Sequence, residues 1–166
     1  MCIRDRAYLV AMKGAHLVET NTWTGELADI ELDIEGLNLP KRGGSLFIEG
    51  MKAYHQNAPE ALTAIIKELK KKRLKAQNIV GEGGFAMCSA AGLANKPPNQ
   101  LDIDMVHIME MELRAYLSDL KDDKASAKDW FEKASSMDET LNYSYCLLYT
   151  SPSPRDATLS RMPSSA

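Results

Sequence analysis

The sequence lacks both a long hydrophobic run and an excess of basic residues. Its most apolar stretch, residues 7–18, is interrupted by Lys13 and His16 and is shorter than the roughly 18 apolar residues that a membrane-spanning helix needs. Lys and Arg number 20 against 23 Asp and Glu, a net charge of −3. Binding to nucleic acid through phosphates needs a clustered excess of Lys and Arg. We therefore expect no membrane-spanning helix and no nucleic-acid partner.

The two ends of the chain resemble translated sequencing-adapter sequence. Residues 1–6 (MCIRDR) resemble the transposase end used in tagmentation libraries, and residues 146–156 (CLLYTSPSPRD) resemble its opposite strand. Residues 157–166 resemble a sample index followed by the remaining adapter. A Ser- and Pro-rich stretch without apolar periodicity is also the composition of a native disordered tail. We expect residues 1–6 and 146–166 to be non-native, the latter as a disordered tail.

Without those ends, residues 7–145 would form one truncated helical domain. About 139 residues suffice for a small domain or a few stacked repeats. Cys88 is then the one remaining cysteine, and alone it can form neither an internal disulfide nor a metal site. Because the native N-terminus would be missing, the absence of a signal peptide gives no information about compartment, and the localisation stays unknown.

The first third of this domain contains one helical pattern and one irregular segment. Residues 7–20 predict a helix that is buried on much of its surface. Within the next segment, residues 28–34 (ADIELDI) alternate apolar and acidic residues as a strand does. Since no second alternating run exists for a strand to pair with, we expect an irregular loop near residues 24–44.

Residues 45–80 predict a helical hairpin. Asn57 is a favourable N-cap, Pro59 suits a first turn, and Glu60 completes a capping-box spacing. A turn this short makes the two helices antiparallel neighbours. The second helix is expected to bury an apolar stripe made of Ala61, Leu62, Ile65, Ile66, Leu69, Leu74 and Ile79.

A second hairpin follows. Asn99 or Asp102 can cap a long helix that runs to Leu120, and residues 121–123 (KDD) make its turn. The partner helix, residues 124–137, places four apolar residues on one face. These are Ala127, Trp130, Phe131 and Ala134.

Residues 122–134 (DDKASAKDWFEKA) resemble the second helix of a tetratricopeptide repeat. Small residues let such helices approach closely, and an aromatic residue fills the space between adjacent hairpins. The resemblance implies an all-α fold of antiparallel hairpins stacked as a short α-solenoid. A weaker copy lies in the first hairpin, with a turn that is one residue shorter. The packing positions implied by the resemblance are Gly50, Tyr54, Ala61, Ile65, Ala127, Phe131 and Ala134.

The domain as a whole resembles the C-terminal part of a group of bacterial tetratricopeptide proteins of unassigned function. Because the family binds other proteins in a concave groove, the resemblance implies a protein-interaction scaffold with a protein or peptide partner. Two alternatives stay open. One is an enzyme or accessory domain with a cleft under Trp23 and the acidic residues 29–35. The other is a helical module that binds a small ligand between its hairpins, near Phe85 and Tyr116.

No set of residues completes a catalytic or metal-binding motif. His107 and Glu110 share a helix face and Glu112 lies nearby, but a second pair of ligands is missing, which favours a polar edge of the helix. Residues 80–84 (VGEGG) lack the Lys-Ser/Thr ending of a phosphate loop. Cys88, in apolar surroundings, is expected to be a buried packing residue. We therefore expect no catalytic residue, no metal and no cofactor.

Two further patterns have both a functional and a structural interpretation. Six basic residues could bind an acidic partner, but their spread around the helix favours a solvated surface. Met105 and Met109 could line an adaptable groove, although core packing accounts for them equally well. The basic residues are Lys67, Lys70, Lys71, Lys72, Arg73 and Lys75.

Overall fold

The computed structural model describes residues 3–81 and 97–141, and within them six helices and no strand make up the regular structure. The helices are α1 (Ile3–Thr20), α2 (Glu26–Asp29), α3 (Leu39–His55), α4 (Pro59–Gly81), α5 (Gln100–Leu120) and α6 (Lys124–Leu141). The all-α prediction is confirmed. The predictions for residues 82–84, Phe85, Cys88 and the tail at 146–166 lie outside the described residues.

Helix α3 begins earlier than predicted. The Asn38 side chain accepts a hydrogen bond from the Lys41 N–H at 3.2 Å, and Pro40 occupies the first turn. Asn followed by Pro marks a helix start, since the cap satisfies a free N–H and Pro needs none. The prediction of an irregular loop near residues 24–44 therefore covers too many residues. That segment contains the one-turn helix α2 and gives way to α3 at Leu39.

Helices α1, α3 and α5 end in the same motif. The residue after each helix cap has a left-handed backbone, with φ of 50° at Asn21, 53° at Asn57 and 59° at Asp122. Asn and Asp tolerate this conformation better than most residues other than Gly. In each case the following N–H donates to the carbonyl five residues back, which is the Schellman motif. These bonds are Thr22 to Leu17 at 3.3 Å, Ala58 to Ala53 at 2.9 Å and Asp123 to Ser118 at 2.9 Å.

This motif corrects two predictions about the first hairpin. Asn57 ends α3 and does not cap α4, because its backbone is left-handed and the first α4 bond runs from the Leu62 N–H to the Ala58 carbonyl. The turns at residues 56–58 and 121–123 also have equal length. When the two turns are aligned, Leu62 of α4 corresponds to Ala127 of α6. The prediction that the turn of the first hairpin is one residue shorter is therefore wrong.

The buried stripe of α4 differs from the predicted stripe. Leu62, Ile66, Leu69 and Ala76 are buried. Their spacing of three and four residues is that of one helix face. It places Arg73 on the same face and leaves out Ala61, Leu74 and Ile79, which are exposed. At the first turn of α4, Ala61, which the repeat resemblance implies as a packing residue, is exposed, and its neighbour Leu62 is buried.

Helices α1, α3 and α5 lie side by side and run in the same direction. Glycines on one helix meet side chains on the next. In successive contacts the residue numbers increase on both helices, as they do when two helices are parallel. The pairs are Gly44 with Val10, Gly14 with Ile48, Gly43 with Val106 and Gly50 with Leu113. Helix α4 packs against α3 and α5, and α6 packs against α5. The α5 N-terminus is fixed by a capping box, in which Asn99 and Asp102 each accept the other's N–H.

The last two observations concern the start of α1 and the apolar character of the helices. Helix α1 begins inside the adapter-like residues 1–6, and Arg6 forms an ion pair with Asp33 of the irregular segment. None of the described helices combines the length and the apolar character that crossing a membrane would require.

Candidate functional site

Five aromatic side chains form a continuous series of ring contacts that crosses from the end of α1 to α6. We call them the ring line: Trp23, His55, Tyr54, Tyr116 and Phe131. Trp23 stacks on His55 with ring centroids 4.5 Å apart, and His55 meets Tyr54 edge-on at 5.2 Å. Tyr116 then joins Tyr54 at 4.8 Å to Phe131 at 5.1 Å. Ring pairs of this kind stabilise each other by about 0.5–1.5 kcal/mol. The ring line therefore connects the segment after α1 to α3, α5 and α6.

A polar contact fixes the middle of the ring line. The Tyr54 hydroxyl donates to Asp119 Oδ2 at 2.7 Å, and Lys124 Nζ donates to Asp119 Oδ1 at 2.7 Å. The hydrogen bond to Asp119, together with burial and the carboxylate charge, raises the pKa of Tyr54 to about 12. The bonds from Lys124 and Tyr54 lower the pKa of Asp119. The carboxylate therefore stays charged and holds the phenol in place.

The ring line is accessible over most of its length. Phe131 is 37% exposed, Tyr54 and Tyr116 are half-buried, and His55 is exposed. Trp23 is buried, and its Nε1 donates to Asn21 Oδ1 at 3.0 Å. Aromatic side chains that are anchored on one side and open on the other are suited to contact another protein, because they bury a large area with little loss of side-chain entropy.

Glu112 lies one helical turn before Tyr116 on α5. Its Oε2 is buried and receives no hydrogen bond from any residue that the structure describes. Burial, followed by the nearby charge of Asp138, raises the pKa of Glu112 to about 8. The side chain is therefore protonated at neutral pH, and a cation placed beside it would favour its ionised form.

A second cluster joins α4, α5 and α6 on another side of α5. Glu110 is 3% exposed, and its Oε2 accepts from Arg73 Nε at 2.9 Å. Its Oε1 accepts from Arg114 Nε at 3.1 Å and Nη2 at 2.8 Å. The Arg114 guanidinium lies over the Trp130 ring at 5.3 Å, and Lys133 Nζ lies 4.9 Å from the same ring. A buried carboxylate needs this pairing, since an unpaired buried charge is strongly destabilising.

The Glu110 cluster corrects the predicted roles of two residues. Glu110 is buried and does not form a polar edge, and Arg73 is not part of a solvated basic surface because its side chain is only 12% exposed. Both Glu110 oxygens are bound by arginines. No hydrogen bond joins His107 to Glu110 in the described parts of the chain, and burial, followed by the charge of Arg73, lowers the pKa of His107. The cluster is a structural ion pair.

The residues implied by the repeat resemblance occupy several environments. Gly50 is buried against Leu113, and Ala127 and Ala134 are buried on α6. Ile65 is half-buried and packs on the main core. Tyr54 and Phe131 are brought together through Tyr116 in the ring line. Tyr116, His55 and Asp119, which complete that site, were not predicted as its members from the sequence.

Two of the four acidic residues in the segment considered for an enzyme cleft, residues 29–35, are bound in ion pairs. Asp29 pairs with Lys52, and Asp33 pairs with Arg6. His16 is exposed on α1. Across residues 3–81 and 97–141, no group of three or more His, Cys, Asp or Glu side chains could hold a metal ion.

No protein-family model matches the chain, and no curated protein or solved structure is significantly similar to it. Functional inference therefore depends on the geometry of the ring line and its surroundings.

Proposed function

We propose that the chain is a protein-interaction scaffold of the tetratricopeptide type and that it binds a peptide segment of a partner across the ring line. The arrangement of helices supports this architecture. Helix α5 contacts both helices of the preceding hairpin, as in stacked repeats. Helices α1, α3 and α5 run parallel and end in the same motif, which is expected if each is the first helix of a repeat unit.

The observation that carries the proposal is the partial exposure of the ring line. Its rings are held by each other and by the bond from Tyr54 to Asp119, so that they are preorganised before a partner binds. Preorganisation lowers the entropic cost of binding. Interfaces concentrate their affinity in a few aromatic residues of this kind.

The surroundings of the ring line favour a particular peptide. An apolar or aromatic side chain would pack on Phe131 and Tyr116. A basic side chain would lie near Glu112 and Asp138, where it would stabilise the ionised form of the Glu112 carboxyl. We therefore expect the partner segment to combine an apolar anchor with one Lys or Arg.

Selection from a displayed peptide library against the full chain tests this proposal. Selected peptides should share an apolar residue and a basic residue. Phe131→Ala should weaken their binding by about tenfold or more, since loss of an aromatic anchor costs at least about 1–2 kcal/mol. Lys128→Ala is the matched control, because Lys128 is exposed on the same helix outside the ring line. Failure to select any peptide, or equal losses in both variants, would contradict the proposal.

A further inference from the structure

A cleft of about 360 Å³ lies at the end of the first hairpin opposite the ring line. Its walls come from the residues just before α3 and its first turn, from the last turns of α4, and from Pro98 just before α5. Three basic side chains line it, Arg42, Lys72 and Lys75, together with the apolar Leu37, Ala76 and Ile79. The cleft therefore combines positive charge with an apolar wall.

The positive charge of this cleft is only partly compensated. Lys72 pairs with Glu68 at 3.2 Å on the surface of α4. Within the part of the chain that the structure describes, Arg42 and Lys75 form no ion pair, and no acidic residue lines the cleft. This local excess of cations occurs in a chain whose net charge is −3. It would attract an anion although the protein as a whole would not.

Arg42 also carries an unused hydrogen-bond donor. Its Nε is buried and has no acceptor among residues 3–81 and 97–141, whereas buried donors are almost always paired in folded proteins. A guanidinium offers its donors in a fixed fork that matches the oxygens of a carboxylate or phosphate group. The buried Nε is closed to solvent, so that an anion in the cleft would bind the remaining donors of the Arg42 guanidinium.

The helix N-terminus makes little contribution to this site. The Asn38 side chain already accepts the Lys41 N–H, and Pro40 has no N–H to donate. The charge that would hold an anion must therefore come from the side chains of Arg42 and Lys75, and this makes the site testable by substitution.

We propose that this cleft binds a small organic anion, with one phosphate or carboxylate group held by Arg42 and Lys75 and an apolar body packed on Leu37, Ala76 and Ile79. The volume of the cleft lies within the range of about 300–1,000 Å³ that is typical of small-molecule sites. The site is separate from the ring line. Anion binding in the cleft does not depend on whether a peptide binds at the ring line. Phe131→Ala should therefore leave anion binding unchanged.

The test is a titration of the isotopically labelled full chain with phenyl phosphate. Amide chemical shifts in nuclear magnetic resonance spectra monitor the titration. Shifts at Leu37 and Ile79 should saturate. Inorganic phosphate should bind more weakly because it lacks the apolar body, and uncharged benzyl alcohol should not bind. Benzoate in place of phenyl phosphate then distinguishes a carboxylate site from a phosphate site.

Two variants and one control locate the binding group. Arg42→Gln and Lys75→Gln should each weaken phenyl phosphate binding by about tenfold, since a hydrogen bond to a charged group contributes about that factor. Lys71→Gln should have no effect, because Lys71 is exposed on the same helix outside the cleft. Lys75 is itself exposed, so that its variant should fold normally. The proposal is overturned if no shift saturates, if benzyl alcohol binds equally well, or if Lys71→Gln loses as much affinity as Lys75→Gln.

Discussion

Gly50 of α3 meets Leu113 of α5 so closely that a Cβ at Gly50 would lie 2.7 Å from both terminal carbons of the Leu113 side chain. Leu113 is completely buried, so that it has little room to move. We predict that Gly50→Ala destabilises the protein by about 1–2 kcal/mol, because the cost of overpacking exceeds the gain in helix propensity. The free energy of unfolding in urea measures this effect.

Gly44 provides the control for that substitution. A Cβ there would meet only Val10 Cγ1 at 3.9 Å, which is ordinary van der Waals contact. Gly44→Ala should therefore stabilise the protein by about 0.5–1 kcal/mol through helix propensity alone. If Gly50→Ala stabilised the protein as Gly44→Ala does, the close approach of α3 and α5 would be contradicted.

The sequence was sufficient to predict the two hairpins but not their register. Each hairpin has helical periodicity over long segments and a short polar turn, and these signals are local. The one-residue error at Leu62 arose at the turn, where Asn57 satisfies the rules for either a helix start or a helix end. Which role it takes depends on backbone conformation, which the residue type alone does not determine.

The pairing of Arg73 with Glu110 gives a second prediction. Arg73→Ala removes one of two arginines from a buried carboxylate, and we expect a loss of about 2 kcal/mol. Lys128→Ala breaks an exposed pair with Glu132, and it should change stability by less than about 0.5 kcal/mol. Urea unfolding compares the two variants. Equal losses of stability in the two variants would mean that the ion pair with Arg73 does not stabilise the buried Glu110 carboxylate.

This pair also explains why part of the structure could not be predicted. Arg73 lies within a run of basic residues that is typical of a solvated surface, and Glu110 is distant from it in sequence. Only the packing of α4 on α5 places them together. The ring line has the same origin, because its members come from the ends of different helices and no spacing in the sequence relates Trp23 to Phe131.

Titration of Tyr54 gives a third prediction. Because the pKa of Tyr54 is raised to about 12, its tyrosinate should form later than that of an ordinary tyrosine with pKa about 10. The difference in ultraviolet absorbance between the wild type and Tyr54→Phe isolates its titration. Asp119→Asn should bring the midpoint down towards 10, whereas Asp123→Asn should not. An unshifted midpoint in Asp119→Asn would contradict the assigned hydrogen bond.

Glu112 predicts a specific dependence of stability on pH. Its pKa rises from 4.5 to about 8 on folding, so that between these values the unfolded state is ionised while the folded state is protonated. Stability falls in this window by about 1.4 kcal/mol per pH unit, on the order of 3 kcal/mol by pH 7. Glu112→Gln removes this loss. It should match the wild type in stability near pH 4 and exceed it at pH 7, as urea unfolding would measure.

The ionisable groups other than Asp138, which interacts with Glu112, are the same in both proteins and cancel in this comparison. A difference in stability between the wild type and Glu112→Gln that does not change from pH 4 to pH 7 would contradict the burial of the Glu112 carboxyl.

The parallel row of α1, α3 and α5 is the basis of both the proposed repeat architecture and the ring line. Distances between paired spin labels test it directly, with the three cysteines of the chain replaced by serine. Tyr8 and Glu19 are exposed and lie about 17 Å apart along α1, at 1.5 Å of rise per residue. A label at Gln56, just after α3, should lie closer to a label at Glu19 than to one at Tyr8. The reverse order would mean that α1 and α3 are antiparallel and would contradict the account.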